Sequence, residues 1–89
     1  MLIALIARDK AGHIELRKAN RAEHIEYLKS GTVVSQAGPL LSDEGDMIGS
    51  LIILDVVTLE DAHTWSAHDP YVKAGLFESV EFIHWNKVI

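Results

Sequence analysis

Residues 51–57 read LIILDVV, and the chain opens on a similar run, MLIALIA, at residues 1–7. Both runs are almost wholly apolar, which is typical of strands that are buried on both faces. Asp55 is the only polar residue in the later run, and a carboxylate buried there needs a partner or water. The two runs therefore predict the central strands of a sheet, one at residues 1–7 and the other at residues 48–57.

Two further segments have the composition of helices. Residues 13–30 contain no Gly or Pro and are rich in Glu, Leu, Ala, Lys and Arg, and a glycine follows as a natural stop. Thr58 with Asp61 resembles a capping box, which predicts a second helix from there to about residue 68. Pro70 either closes that helix or begins a new turn. The sequence thus places one helix after each of the two apolar strands.

Two weaker strands complete the pattern. Residues 32–37 are short and β-branched, and Gly38-Pro39 is expected to end that strand, because proline suits only an edge or a strand end. Residues 80–89 alternate in part and predict the final strand. The order βαββαβ is that of the ferredoxin-like split unit. We therefore predict a single α+β domain over residues 1–89, with a ferredoxin-like fold.

The predicted fold leaves one apolar face of the sheet without a cover. In this topology both helices lie on the same face, while the two central strands are apolar on both. The chain is 48% hydrophobic over only 89 residues, and a domain of this size has a thin core of its own. A second copy of the sheet is the economical cover. We therefore predict a homodimer with stacked sheets and leave a higher oligomer open.

Composition excludes several classes of function. The chain has no cysteine, so disulfides, thiolate metal sites and a cysteine nucleophile are excluded, and a reducing cytoplasm fits. Its net charge of −5 gives no electrostatic reason to bind nucleic acid or anionic lipid. The apolar start is too short for a signal peptide core or a membrane span. We expect a soluble, cytoplasmic protein.

One histidine stands apart from the other four. His24 lies on the stripe of the first helix that should face the sheet, and a half-buried imidazole needs partners for its ring nitrogens. Asp69 precedes Pro70, which turns the chain at the end of the second helix. Both helices lie on one face, so the two side chains are placed to meet, and a carboxylate would orient the ring. A purely structural polar contact explains the same pattern, and spacing alone does not decide between them.

Four other residues are weaker candidates for the wall of a pocket. Asp9 and Ser50 would supply polar groups, and Pro39 and Tyr71 would line the cavity. Each has a plain alternative as a turn, strand-end or core residue. The glycine patterns of phosphate-binding loops are absent, and His63 and His68 are five apart on a helix, which is not the spacing of a helical metal pair. No metal or organic cofactor is predicted.

Six short strings in a fixed order carry a resemblance that covers essentially the whole chain. The strings are Arg21-Ala22-Glu23-His24, Ala37-Gly38-Pro39-Leu40, Gly49-Ser50, Ala62 with Trp65, His68-Asp69-Pro70-Tyr71, and Ala74-Gly75-Leu76. Together they resemble the YciI-like (YCII-related) family. No single string is specific, whereas the ordered set is. Many members have proline after the arginine where this chain has Ala22, so we expect a straighter first helix.

The resemblance implies more than the residues do alone. It implies a dimeric α+β barrel and an active-site dyad, which maps onto His24 and Asp69. It also implies an activity that one family member has, the dehydrochlorination of a chlorinated hydroxyhydroquinone. Our leading hypothesis is a cofactor-free lyase or isomerase in which His24 is the general base on a small phenolic or quinone-like substrate. The alternatives are a non-catalytic small-ligand-binding or accessory dimer and, third, a cofactor-free oxygenase of quinols.

Overall fold

The computed structural model describes all residues from 1 to 89. Its four strands form one antiparallel sheet, with the first and third strands of the chain at the centre and the second and fourth at the edges, so the two apolar runs are indeed the central strands. This confirms the α+β, ferredoxin-like fold. The elements in chain order are β1 (Leu2–Asp9), α1 (Ile14–Lys29), β2 (Val34–Leu41), β3 (Met47–Asp55), α2 (Leu59–Ala67), α3 (Pro70–Lys73) and β4 (Phe77–Trp85).

The core lies between the sheet and the helices. Alternate residues of a strand point to the same face, and one such set from the two central strands is fully buried beneath the helices. Ala62 of α2 packs into the same cluster. Burial of the Ile and Leu side chains of this set stabilises the fold by roughly 1.5–3 kcal/mol each. The sheet residues of the cluster are Ile3, Leu5, Ala7, Ile52 and Leu54.

The opposite face of the sheet has no helix over it. Ala4 pairs with Ile53 on one side and with Ile83 on the other, which places these apolar side chains next to one another. Around them Leu51 is 39% exposed, Ile83 46% and Trp85 38%. The two central strands are therefore apolar on both faces, as predicted, although the chain itself covers only one.

The edge strand β2 is longer than predicted. It continues through Gly38-Pro39 to Leu41, and Pro39 stands opposite Ser50 of β3. Because β2 has a neighbour on one side only, a residue without an N–H group does not interrupt the ladder. The expectation that Gly38-Pro39 ends this strand was wrong.

The last strand begins and ends earlier than predicted. β4 starts at Phe77 and stops at Trp85, whereas residues 80–89 were expected. Phe77 pairs with Asp9 across a register shift after Arg8. Such an irregularity lets the ladder continue past a point where alternation in the sequence is lost.

Helices α2 and α3 begin at side-chain caps, whereas α1 has none. The Thr58 hydroxyl accepts a hydrogen bond from the amide of Asp61 at 3.1 Å, which confirms the predicted cap of α2. α1 is one uninterrupted helix, and Pro70 starts the separate short helix α3 instead of closing α2. None of the three is long and apolar enough to cross a membrane.

Asp55 is not the buried carboxylate that its position in the apolar run suggested. Its side chain is mostly exposed at the end of β3, and one oxygen lies 3.8 Å from the amino group of Met1. The strand residue faces solvent on the uncovered side of the sheet, so no buried partner is needed.

Candidate active site

One cavity of about 510 Å³ lies beside the core. Helix α1 forms one wall and strands β2 and β3 form the other, while Tyr71 of α3 closes one part of it. The size falls within the range of small-molecule sites. The apolar lining includes Ile25, Leu28 and Ile52, and the polar lining includes His24 and Ser50.

His24 and Asp69 meet at the edge of this cavity. Nδ1 of His24 lies 2.8 Å from Oδ1 of Asp69, and the two side chains are only 7% and 1% exposed. Asp69 has an extended backbone and caps α3, so that its Oδ1 also accepts the amide hydrogen of Tyr71 at 2.9 Å. Proline after it favours that extended backbone. The contact expected from the sequence is therefore present, and the carboxylate is fixed from two sides.

This contact determines which ring nitrogen of His24 faces the cavity as an acceptor. A carboxylate only accepts hydrogen bonds, so the pairing assigns a proton to Nδ1. In the neutral ring Nε2 then keeps its lone pair. No protein group hydrogen-bonds Nε2, and His24 lines the cavity. The geometry leaves Nε2 available to a bound molecule.

Tyr71 packs directly on the imidazole. The two ring centroids are 3.8 Å apart and the planes are inclined by 16°. Tyr71 is 1% exposed, and its hydroxyl oxygen is fully buried close to Arg17. Burial raises the pKa of Tyr71 above the ordinary phenol value, against the opposing charges of Arg17 and Arg21. The phenol that stacks on His24 is therefore neutral and its oxygen is buried.

A buried ion pair supports the same wall. Nε and Nη2 of Arg17 donate to the two oxygens of Asp9 at 2.6 and 2.9 Å, and Nη2 also donates to the Ser50 hydroxyl at 2.9 Å. The guanidinium carbon lies 4.7 Å from the centre of the Tyr71 ring. Burial alone would lower the pKa of Arg17, but the Asp9 carboxylate holds it above its ordinary value. This network fixes the floor behind the phenol.

Of the four weaker candidates, three line the cavity and one does not. Ser50, Pro39 and Tyr71 line the cavity. Asp9 does not; both of its oxygens are occupied by Arg17, so it reaches the site only through that residue. The other four histidines lie outside the cavity, and no group of three or more His, Cys, Asp or Glu side chains is placed to hold a metal ion.

Three cationic residues of the cavity were missed by the sequence analysis. Arg17, Arg21 and Lys29 all line it from α1. Arg17 and Arg21 lie seven and three positions before His24, spacings that put residues on one face of a helix. That signal was in the sequence, although basic residues on a helix are most often solvated.

Comparisons with known proteins agree with the fold. The family model for the YCII-related domain matches residues 1–86. Protein YciI of Escherichia coli is 35% identical, with 99% of each chain covered, and an uncharacterized protein of Haemophilus influenzae is 30% identical over 99% of each. A solved structure, 5-chloro-2-hydroxyhydroquinone dehydrochlorinase (TftG) from Burkholderia phenoliruptrix in complex with 2,5-dihydroxybenzoquinone, is 30% identical. It superimposes with a TM-score of 0.88 and covers 97% of this chain and 94% of its own.

Proposed function

The chain belongs to the YCII-related domain family, and from that premise we propose that it is a small cofactor-free enzyme of the lyase or isomerase type. His24 acts as the general base on a small phenolic or quinone-like substrate, and Asp69 orients and charge-stabilises the ring. The observation that carries the proposal is the 2.8 Å contact between Nδ1 of His24 and Oδ1 of Asp69, with the unpartnered Nε2 at a cavity of small-molecule size.

The chemistry needs little beyond this pair. Nε2 of His24 removes a proton from a ring hydroxyl or an activated ring carbon, and the imidazolium that forms is stabilised by the adjacent carboxylate. A positioned base contributes about 10²–10⁴ in rate, so the substrate must already be acidic. The Ser50 hydroxyl, which lines the cavity, donates to a ring oxygen. A multiply hydroxylated ring satisfies both demands.

The similarity to a dehydrochlorinase supports the choice of substrate class. That enzyme acts on a chlorinated hydroxyhydroquinone and was solved with a dihydroxybenzoquinone, and both molecules are small oxygenated rings. Loss of HCl requires a base for the proton and a halide that leaves with its bonding electrons. A histidine–aspartate base in a cavity of about 510 Å³ provides for the first requirement.

Chloride release from 5-chloro-2-hydroxyhydroquinone tests the proposal. We expect the wild-type protein to accelerate release and His24→Gln to lose about 10²–10⁴ of that rate, with the fold intact by circular dichroism. His68→Gln is the matched control, because His68 is exposed and bonds only a backbone carbonyl. It should keep the wild-type rate within about twofold, as surface substitutions usually do. Equal rates in wild type and His24→Gln would contradict the proposal.

A non-catalytic ligand-binding module is the alternative. It is favoured by the structural duty of Asp69, whose Oδ1 caps α3 through the amide of Tyr71 as well as contacting His24. If Asp69 is needed to cap α3, its burial is accounted for without any catalytic role. Saturable binding of a hydroxylated ring, with no turnover of any member of a phenolic and quinone panel, would establish this alternative.

The uncovered face of the sheet supports the proposal of a homodimer. Its exposed side chains, Leu51, Ile83 and Trp85, are large and apolar, and a second cavity of about 470 Å³ lies on that face. An apolar surface of this kind marks an interface more often than free surface. Two copies with their sheets stacked would bury it on both sides.

A further inference from the structure

The charges around the His24 cavity are strongly one-sided. Its lining includes three cationic side chains and no carboxylate. Arg17 is neutralised by Asp9 behind the wall. Arg21 and Lys29 have no carboxylate within ion-pair distance. Arg21 and Lys29 are therefore unpaired cations of the lining, and the carboxylate at the edge of the cavity is that of Asp69, which contacts His24.

This imbalance runs against the composition of the chain. Thirteen acidic residues against eight basic ones leave a net charge of −5, so an arbitrary patch of surface is expected to be acidic. Arg21 and Lys29 are eight positions apart on α1, or roughly 12 Å along the axis. Ile25 lies midway and also lines the cavity. The cations thus flank an apolar strip of about the length of a substituted ring.

The wall opposite α1 provides a second, independent feature. Ser50 of β3 lines the cavity there, and its hydroxyl oxygen accepts a hydrogen bond from Nη2 of Arg17 at 2.9 Å. The hydroxyl keeps its own hydrogen, which can be donated to an oxygen of a bound molecule. The cavity therefore offers cations on the helix wall and a hydroxyl donor on the strand wall.

We propose that the cavity selects small ring ligands that are anions when they bind. A carboxylate or ionised hydroxyl oxygen of the ligand faces the cationic helix wall that carries Arg21 and Lys29, and a neutral ring oxygen accepts the hydrogen of the Ser50 hydroxyl. The inference rests on the proposed function in placing the ligand beside His24. It adds the charge of the ligand and assigns Arg21 and Lys29 as the residues that determine this specificity.

A matched pair of probes separates charge from shape. 2,5-Dihydroxybenzoate is ionised at neutral pH, and its methyl ester carries the same ring hydroxyls without the charge. We expect calorimetry at low ionic strength to show the acid binding about tenfold more tightly, which corresponds to about 1.4 kcal/mol. Added salt should weaken binding of the acid much more than that of the ester, because screening acts on charges.

Three glutamine variants locate the charge. Arg21→Gln and Lys29→Gln should each weaken binding of the acid by about three- to tenfold and that of the ester by less than about twofold. Lys18→Gln is the matched control, since Lys18 is an exposed cation of the same helix that contacts Glu15 at 3.8 Å and lies outside this cavity. It removes the same charge and should leave both affinities unchanged. All three substitutions replace exposed side chains, so we expect the three variants to fold as the wild type does.

The binding experiments can contradict this inference without contradicting the proposed function, and the turnover experiment can do the opposite. Equal affinity for acid and ester, no binding of either probe at millimolar concentration, or equal effects of Lys18→Gln and Arg21→Gln would overturn the inference. These binding measurements do not depend on turnover. A preference for the acid combined with a His24→Gln protein that still turns over substrate would reject the proposed base and keep the charge selectivity. A turnover that depends on His24, combined with equal binding of the two probes, would keep the proposed base and reject the charge selectivity.

Discussion

Both tyrosines of the chain report on the packing around the site. Burial raises the pKa of Tyr71 and of Tyr27 above the ordinary value, and the charge of Asp69 acts in the same direction on each. Tyr27 also donates its hydroxyl hydrogen to the carbonyl of Trp65 at 2.6 Å. The chain has only these two tyrosines, so the ultraviolet absorbance of phenolate follows them without interference.

The sign of the resulting pH dependence follows from linkage. A folded-state pKa above the unfolded value means that folding favours the protonated phenol, so this stability is complete below the ordinary phenol pKa of about 10 and is lost as pH rises beyond it. We expect the native protein to ionise its tyrosines at higher pH than the protein in denaturant. The decline in unfolding free energy at alkaline pH should be shallower in Tyr71→Phe. Coincident native and denatured titration curves would contradict the packing described here.

The sequence predicted some contacts of single residues but not others. The contact between His24 and Asp69 was predictable, because helix periodicity and the proline after Asp69 place them on one side of the sheet. Arg17 was not singled out, since its burial depends on Asp9 and Ser50, which lie on two different strands. Helix spacing places Arg17 on the face of His24, but its pairing with Asp9 and Ser50 requires three elements to assemble and leaves no local pattern in the sequence.

At the scale of elements, the close approach of β3 to β1 depends on Gly49. A Cβ atom at this position would collide with the carbonyl oxygen of Ala7 and would crowd Leu40. We expect Gly49→Ala to lower the free energy of unfolding by about 1–3 kcal/mol, as overpacking does. The control is Gly38→Ala, where a Cβ meets nothing within 4 Å and a gain of up to about 1 kcal/mol is expected. Chemical denaturation measures both, and equal stabilities would show that the strands can separate at no cost.

The elements differ in how well the sequence predicted them. β1, β3 and the two long helices carry uninterrupted apolar runs or helix-forming composition, which are local signals. β2 was cut short because proline was taken as a stop, whereas an edge strand tolerates it. The four residues of α3 are too few to show a helical period. The sequence therefore misplaced those elements whose bounds depend on neighbouring elements and not on a local pattern.

At the scale of the whole molecule, the uncovered sheet face predicts the oligomeric state. The chain has a mass of 9.9 kDa, and we expect sedimentation at micromolar concentration to show twice that. Ile83→Lys should shift the equilibrium to monomer, because a charge buried in a stacked-sheet interface is costly. Val57→Lys is the control, since Val57 is 82% exposed and lies outside the sheet. A monomeric wild-type protein would contradict the dimer, and would leave the apolar face without an explanation.

The most direct test of the central claim is the nitrogen NMR spectrum of the His24 imidazole in wild type and in Asp69→Asn. The claim is that Asp69 holds the proton on Nδ1 and so leaves Nε2 as the base. We expect the neutral wild-type ring to be protonated at Nδ1, its Nε2 signal to move when 2,5-dihydroxybenzoquinone is added, and Asp69→Asn to mix the two tautomers. A wild-type ring protonated at Nε2, or identical spectra for the two proteins, would contradict the account.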